Sequence, residues 1–309
     1  MSVASSVISS FVDPLQGYIN EGSNSVAQAV QGPLTAAAAL YIVIFGIMIL
    51  LGYVRAPISD FVINIIKISI IVLIVNEVDT YNTYVTDLFF VQLPEGIGAA
   101  VGGMSGGSMD SSGITSGSAF DEIINRSIQI SEDIAAEGSW RDWYPYLVAA
   151  FYMALAIIVS MVLLAIYIFG KVALALVLVL GPLFIALLLF RVTQPFFSSW
   201  LAAAANFVLL QVLAIALIGM MISLLQEFID SAEASAWYED FVLAIRLAGL
   251  FALTLYLGLQ LPSIAARLSG GGLALGSGIA QAAINAAMKV PGAGTAAAAL
   301  RGGSITPNR

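Results

Sequence analysis

The chain contains no cysteine and no histidine among its 309 residues. Without cysteine it has no disulfide framework and no thiolate nucleophile. Without histidine it lacks an imidazole base, a histidine-ligated haem and the usual zinc sites. These absences remove most of the chemistry on which membrane enzymes depend, so the sequence predicts a protein that is not an enzyme and that needs no metal or other cofactor.

Charge is also scarce. Only 10% of the residues are charged and 60% are hydrophobic, and the mean hydropathy is +0.97. About a quarter of the residues in soluble domains are charged. The composition therefore predicts an all-α, polytopic helical membrane protein. In such a protein the distribution of the net charge of −8 carries more information than its sum.

Residues 170–210 show how the apolar sequence is divided. Glycine and proline interrupt helices, and charged and aromatic side chains mark the boundaries between membrane and water. In chain order, the interruptions and boundary markers are Lys171, Gly181, Pro182, Arg191, Pro195 and Trp200.

Residues 1–33 carry two acids and no base, and they lack the features of a cleavable signal. Their apolar residues recur at helical spacing, and Asp13-Pro14 offers a cap and a first-turn proline for a second helix. We expect two short amphipathic helices on the membrane surface or against a partner, with a frayed leader as the alternative.

Residues 34–76 are predicted to form a transmembrane hairpin, with spans at 34–54 and 58–76. Asp60, Asn64 and Lys67 form a polar stripe on the second span. Because a lysine near mid-span is costly, this stripe must face protein or a wet cavity. It either makes hydrogen bonds between helices or subunits, or it belongs to a stand-alone ion or solute transporter.

Residues 77–146 contain eleven acids and only two bases, and we expect them to lie outside the membrane. Their Gly/Ser-rich part, 96–117, is predicted to be mobile. A helix is predicted from Ser118, with one apolar face. An aromatic belt precedes the next span, which begins at about Leu147.

Residues 147–261 form the predicted transmembrane core. The apolar run 147–190 is either two spans joined without a loop, or one span to Lys171 followed by a re-entrant stretch, 172–190, that bends at Gly181-Pro182. Two further spans follow, and Arg246 near the outer end of the last one either snorkels or pairs with Glu239 or Asp240.

Charge asymmetry selects between the two interpretations. The N-terminal segment, 77–146 and 226–240 hold 18 acids and only Arg126 and Arg141, whereas the tail, 262–309, has four bases and no acid. The positive-inside rule then places the N-terminus outside and the C-terminus inside, which requires an odd number of crossings. About five crossings plus a re-entrant Gly-Pro hairpin satisfy this condition, and the tail becomes a flexible basic segment in the cytoplasm.

A series of motifs in this half of the chain follows a recognisable order. It comprises Gly181-Pro182-Leu183-Phe184-Ile185-Ala186, Phe190, Pro195-Phe196-Phe197, Trp200, Leu261-Pro262-Ser263-Ile264-Ala265 and Gly270-Gly271-Gly272.

In this order the motifs resemble the TrbL-like family, the polytopic inner-membrane subunits of bacterial type IV secretion and conjugation machines. The resemblance is strongest over residues 147–272, and residues 1–146 are similar only in layout. It implies a non-enzymatic subunit, present as a ring of several copies, that supports substrate translocation and pilus assembly. The implied partners are other secretion subunits, including periplasmic pilus or stalk subunits, with translocating DNA or protein touched only transiently. Trp200 would be an assembly or packing residue at the cytoplasmic boundary.

Overall fold

A computed structural model describes residues 3–52, 57–102, 118–136, 138, 143–232 and 238–270, and almost all of them are helical. The α-helices are α1 (Val3–Leu50), α2 (Pro57–Asn76), α3 (Val78–Tyr81), α4 (Leu93–Gly102), α5 (Ser118–Ala136), α6 (Tyr144–Val179), α7 (Gly181–Ala186), α8 (Gln194–Ala232) and α9 (Tyr238–Leu268).

Helix α1 is a single helix of 48 residues that runs through Pro14 and Pro33. The prediction of two short helices divided at Asp13-Pro14 is therefore wrong. Each proline removes one helical hydrogen bond, but the packed side of α1 continues past both of them. Its buried residues recur at helical spacing along the whole element: Ile8, Ile19, Ser23, Ala27, Leu34 and Ala38. Tertiary packing on this side holds the helix together where local propensity would end it.

Helices α1 and α2 form the predicted hairpin. Phe45 stacks on Phe61, and the Tyr41 hydroxyl bonds to Asn64, so the two helices run antiparallel. Gly52, at φ 73°, ends α1 in the left-handed conformation that glycine adopts readily. Helix α2 begins at Pro57. Proline is tolerated at this position because the N–H groups of the first helical turn have no acceptor within the helix.

A bent helical segment, 78–102, follows α2, and we call it the arm. It consists of α3, two π-helical stretches (Asn82–Thr86 and Leu88–Gln92) and α4. The chain bends by 98° between α2 and the arm. Tyr81 and Phe90 of the arm are fully buried. The prediction that 77–146 lies outside the membrane stays a prediction, and the structure shows that part of the arm packs into the helical core.

Helix α6 is continuous from Tyr144 to Val179 and passes through Gly170-Lys171 without a break. The interruption predicted at Lys171 is absent, because this side chain is buried against the arm and marks no water boundary. The helix ends where Gly181-Pro182 predicts a bend. Residues 172–179 are thus the last turns of α6, and α7 with a 3₁₀ turn (Leu187–Leu189) completes 172–190.

Helices α6, α8 and α9 form the central bundle. Trp200 contacts Val177, and Gln211 lies beside Gly170, so α8 runs antiparallel to α6. The Tyr152 ring of α6 contacts the Phe251 ring of α9 edge to face, so α9 also packs against α6. Helix α9 continues through Pro262 to Leu268, beyond the predicted end of the last span.

Helix α5 begins at Ser118, as predicted, and packs along α6 with its apolar face. The Phe120 ring lies 5.9 Å from the Tyr167 ring, and Ser131 donates to the carbonyl of Ala149. The aromatic belt is exposed at Trp143, as expected for an interfacial side chain.

The buried side chains form two clusters. The larger cluster joins the N-terminal half of α1, the arm and helices α5, α6, α8 and α9. The smaller one joins the α1–α2 hairpin to Tyr81, Ile185 and Leu189. The two clusters meet at the end of α6.

Four described helices are long and apolar enough to cross a membrane: those at Ser6–Leu50, Tyr144–Val179, Gln194–Leu225 and Ile245–Leu268. A fifth candidate exists if Phe61–Asn76 and Asp79–Gly98 form one broken span. This count confirms the predicted all-α polytopic class. Residues 103–117, the centre of the Gly/Ser-rich segment, and the tail from 271 onward lie outside the described residues.

Candidate functional site

At the end of α6, the carbonyl of Leu178 lacks the backbone N–H that would normally donate to it. In an α-helix the carbonyl of Leu178 would accept from the N–H of residue 182, but residue 182 is proline and has none. The N–H of Leu180 turns back to this oxygen. The hydroxyl of Tyr81, from the arm, donates to the same oxygen at 2.6 Å. A side chain from a distant segment thus replaces the bond that proline removes.

Gly181 makes room for this contact. A β-carbon at position 181 would overlap the hydroxyl and the ring of Tyr81. Gly181 and Pro182 are both buried, although they lie where the main chain changes direction. The Gly-Pro pair therefore does two things: proline exposes the carbonyl of Leu178, and glycine lets Tyr81 reach it.

Trp200 caps the adjacent carbonyl. Its indole N–H donates to the oxygen of Val177 at 2.8 Å. The indole stacks on Phe184 of α7, with 6.2 Å between ring centroids, and contacts Phe197 at 5.5 Å. Trp200 is almost fully buried. It therefore joins α8 to both sides of the break between α6 and α7.

A second contact of the same kind lies about two turns earlier on α6. The carbonyl of Phe90 lies in the second π-helical stretch of the arm, just before Pro94. The amine of Lys171 donates to this carbonyl at 3.0 Å and lies 4.6 Å from the centroid of the Phe90 ring. Lys171 is only 5% exposed.

The two contacts are reciprocal. Tyr81 of the arm satisfies a carbonyl of α6, and Lys171 of α6 satisfies a carbonyl of the arm. Each of these carbonyls lies four residues before a proline. We call this pair of contacts, together with Trp200, the clamp. A buried carbonyl without a partner costs about 1–3 kcal/mol, so the clamp ties the arm to α6 in one register.

The sequence contained a signal for the clamp. Pro182 predicts an unpaired carbonyl four residues earlier, and a buried carbonyl of this kind requires a donor. Pattern reasoning identified Gly181, Pro182 and Trp200, but it missed Tyr81 and Lys171. Nothing in the sequence indicates which distant donor meets which carbonyl.

Pro195 lies at the start of α8 and is exposed, away from the buried contacts of the clamp. Ser198 and Ser199 both donate to its carbonyl, each at 2.9 Å. Thr193, two residues before Pro195, donates to the carbonyls of Leu187 and Phe190. These local bonds shape the turn between the 3₁₀ segment and α8.

The polar stripe on α2 lies apart from the clamp. Tyr41 of α1 donates to the side-chain oxygen of Asn64 at 3.1 Å, a bond between the two helices of the hairpin. Lys67 is half-buried on the same helix. The side chain of Asp60 lies outside the described part of the structure. The stripe therefore contributes one interhelical hydrogen bond that the structure describes.

Arg246 is exposed on α9. Its predicted pairing with Glu239 or Asp240 concerns side chains outside the described residues. Over the described ranges, no group of three or more histidine, cysteine, aspartate or glutamate side chains could hold a metal ion. The contacts described for the clamp are hydrogen bonds to main-chain carbonyls and contacts between aromatic rings.

Comparison with known proteins decides the family. The profile of the TrbL/VirB6 plasmid conjugal transfer proteins matches residues 38–261, which is more than half of the chain. The chain belongs to the TrbL/VirB6 family. The type IV secretion system protein VirB6 of Bartonella henselae is 29% identical over 270 residues, covering 87% of this chain and 80% of the relative. The VirB6 protein of Bartonella quintana is 28% identical over the same length and coverage.

Membership of the TrbL/VirB6 family confirms the resemblance carried by the Gly-Pro and Trp200 motifs. It identifies a multi-pass membrane protein of type IV secretion systems, in a family that is not a known enzyme family. The matched residues include the arm, α6, α7 and α8, so both sides of the clamp lie within the part shared with the TrbL/VirB6 family.

Proposed function

We propose that the chain is a non-enzymatic channel and assembly subunit of a type IV secretion system in the bacterial inner membrane. In this role several copies surround the translocation axis as a ring-like homo-oligomer, which supports substrate passage and pilus assembly. The observation that carries the proposal is the family match over residues 38–261, which includes the whole clamp.

The clamp suits an assembly subunit because it fixes the relative position of membrane-length helices without reactive groups. Tyr81, Lys171 and Trp200 each bond to a main-chain carbonyl. Such contacts fix a backbone register and leave the outer faces of the helices free for lipid or protein. Gly181, Pro182 and Trp200 are, on this proposal, the residues on which subunit shape and assembly depend.

The N-terminal segment and the acidic part of 77–146 would meet pilus or stalk subunits in the periplasm. The N-terminal half of α1 carries exposed Phe11 and Tyr18 beside its packed side. Aromatic side chains are enriched at protein interfaces. Because α1 is longer than a membrane span, these exposed aromatic side chains could extend into the periplasm and bind a pilus or stalk subunit there.

The proposed orientation has the N-terminus in the periplasm and the C-terminus in the cytoplasm. It rests on the acidic outer segments and the basic tail. Lys171 is buried, so it is not counted among the bases that indicate the cytoplasmic side. Arg191 is exposed and stays with the cytoplasmic bases in this arrangement.

Co-purification tests the functional proposal. The tagged chain, extracted in mild detergent from cells that carry the whole secretion locus, is expected to bring with it secretion ATPases and envelope subunits. Recovery of a lone homo-oligomer from the same cells would count against the proposal. Cells that lack the rest of the locus provide the control for non-specific capture.

Cysteine labelling tests the orientation, and the absence of native cysteine makes each introduced thiol unique. Val192→Cys, at a side chain that is 86% exposed, should react with a membrane-impermeant maleimide only in inverted vesicles. Trp143→Cys, at a side chain that is 68% exposed, should react only in right-side-out cells. The opposite pattern would reverse the proposed topology.

The stand-alone transporter remains the alternative from a different functional class. Lys67→Met separates the two: loss of ion or solute flux with intact oligomers supports a transporter, and unchanged or purely assembly-related behaviour supports the secretion subunit. The bond from Tyr41 to Asn64 favours the second outcome, because it gives the stripe a structural use.

A further inference from the structure

Several polar side chains in the bundle are buried without a hydrogen-bond partner. Leaving such an atom unpaired in an apolar interior is unfavourable, and buried waters commonly satisfy these atoms. Within the described part of the chain, these atoms include the hydroxyls of Ser160 and Tyr167 and the side-chain oxygens of Asn206 and Gln211.

Two of these atoms belong to residues near Lys171. Tyr167 is one helical turn before Lys171 and therefore on the same side of α6. Gln211 of α8 packs beside Gly170, since a β-carbon there would be 3.0 Å from its Cγ. The amide nitrogen of Gln211 donates to the carbonyl of Phe207, but its oxygen has no partner among the described residues.

Lys171 has hydrogen-bond capacity to spare. A lysine amine carries three donors when protonated, and within the described ranges Lys171 makes one hydrogen bond, to Phe90. The junction of α6, α8 and the arm thus has an amine from Lys171, a hydroxyl from Tyr167 and an amide oxygen from Gln211.

We infer that this junction is a binding site for a small cluster of ordered water molecules, held by Lys171, Tyr167 and Gln211. Water fits this mixed set because it both donates and accepts, so it can bond to amine, hydroxyl and amide oxygen at once. A metal cation is disfavoured by the Lys171 amine. The waters accept hydrogen bonds from the Lys171 amine, which also donates to the arm. They therefore satisfy the donors of the only charged side chain in the clamp.

Radiolytic hydroxyl labelling tests the site, because radicals formed from bound water modify side chains beside that water even in an interior. Tyr167 and Tyr81 form a matched pair: both are tyrosines with no exposed surface, and only Tyr81 has its hydroxyl bonded to protein. In the full-length chain, Tyr167 should be labelled several-fold faster than Tyr81. Equal, slow labelling of the two rings would overturn the inference.

Substitution of Tyr167 by phenylalanine gives an independent measurement. If water satisfies the hydroxyl, Tyr167→Phe removes a bonded group and the Tm should fall by about 2–4 °C. If the site is dry, the substitution removes an unsatisfied polar atom and the Tm should rise, which would contradict the inference. Tyr84→Phe, at a side chain that is 72% exposed, is the control and should leave the Tm unchanged. Both measurements use the isolated chain, so they stand whether or not the secretion function proposed above is correct.

Discussion

The hydroxyl of Tyr81 donates to the carbonyl of Leu178 across 97 residues of sequence, and it replaces the hydrogen bond that Pro182 removes from α6. Lys171 makes the complementary contact, from α6 to the carbonyl of Phe90 in the arm. Proline in a membrane helix is tolerated where neighbouring groups satisfy the freed backbone. For Pro182 the neighbouring group is Tyr81 of the arm.

Tyr81→Phe should destabilise the protein by about 1–3 kcal/mol, because the carbonyl of Leu178 keeps only the bent contact from Leu180. Thermal unfolding of the detergent-solubilised protein measures the change, with Tyr84→Phe as the exposed control. In the Tyr81→Phe background, Pro182→Ala should cost less than it does alone, since alanine supplies an N–H. A coupling energy below about 0.5 kcal/mol would mean that the two residues act independently.

Gly181→Ala should destabilise the protein by about 1–3 kcal/mol, because its methyl group would overlap the Tyr81 side chain. Gly249→Ala is the matched control. No atom lies within 4 Å of a β-carbon at position 249, inside α9, so this change should be neutral or stabilising by up to about 1 kcal/mol. Equal unfolding temperatures for the two variants would contradict the role assigned to Gly181.

Trp200→Phe keeps an aromatic ring beside Phe184 and Phe197 but removes the donor to the carbonyl of Val177. We expect a loss of about 1–3 kcal/mol in the free energy of unfolding. Trp143→Phe, at an exposed side chain, should change little. If the clamp sets subunit shape, Trp200→Phe should also reduce the yield of oligomer on size-exclusion chromatography, whereas a full yield would limit Trp200 to packing within one subunit.

Lys171→Met retains an unbranched apolar chain but removes the amine that bonds to Phe90. The arm should then separate from α6 more often, which hydrogen exchange can measure at amides of residues 81–95. Exchange there should accelerate while exchange at the α8–α9 contact stays unchanged. Uniform acceleration across the bundle would show general unfolding, and no change would show that Tyr81 alone holds the arm.

The sequence identified much of the fold because membrane helices follow local rules. Apolar runs of sufficient length predicted the helices, Ser118 predicted the start of α5, and Gly181-Pro182 predicted the end of α6. These features depend on the lengths of apolar runs and on residues that lack an N–H or a β-carbon. The ordered motifs around Trp200 identified the TrbL/VirB6 family, because they too consist of residue types in a fixed order along the chain.

Local rules failed where a distant contact outweighed them. Pro14 suggested a helix end, yet packing keeps α1 intact. Lys171 suggested a water boundary, yet its amine is buried against Phe90. The acids of 77–146 predicted a segment outside the membrane, and what the sequence did not indicate is that Tyr81 and Phe90 of the arm are buried in the helical core.

The sequence by itself therefore determined the helical membrane class, the family and the position of the break after α6, since each depends on residue type and order along the chain. Only the tertiary structure decided that the break is capped by Tyr81, that Gly181 must lack a β-carbon to admit it, and that Lys171 and Tyr81 bond in opposite directions between α6 and the arm. The physical reason is that a proline reveals a missing donor at a known position, whereas the group that replaces the donor is chosen by the packing of the whole chain.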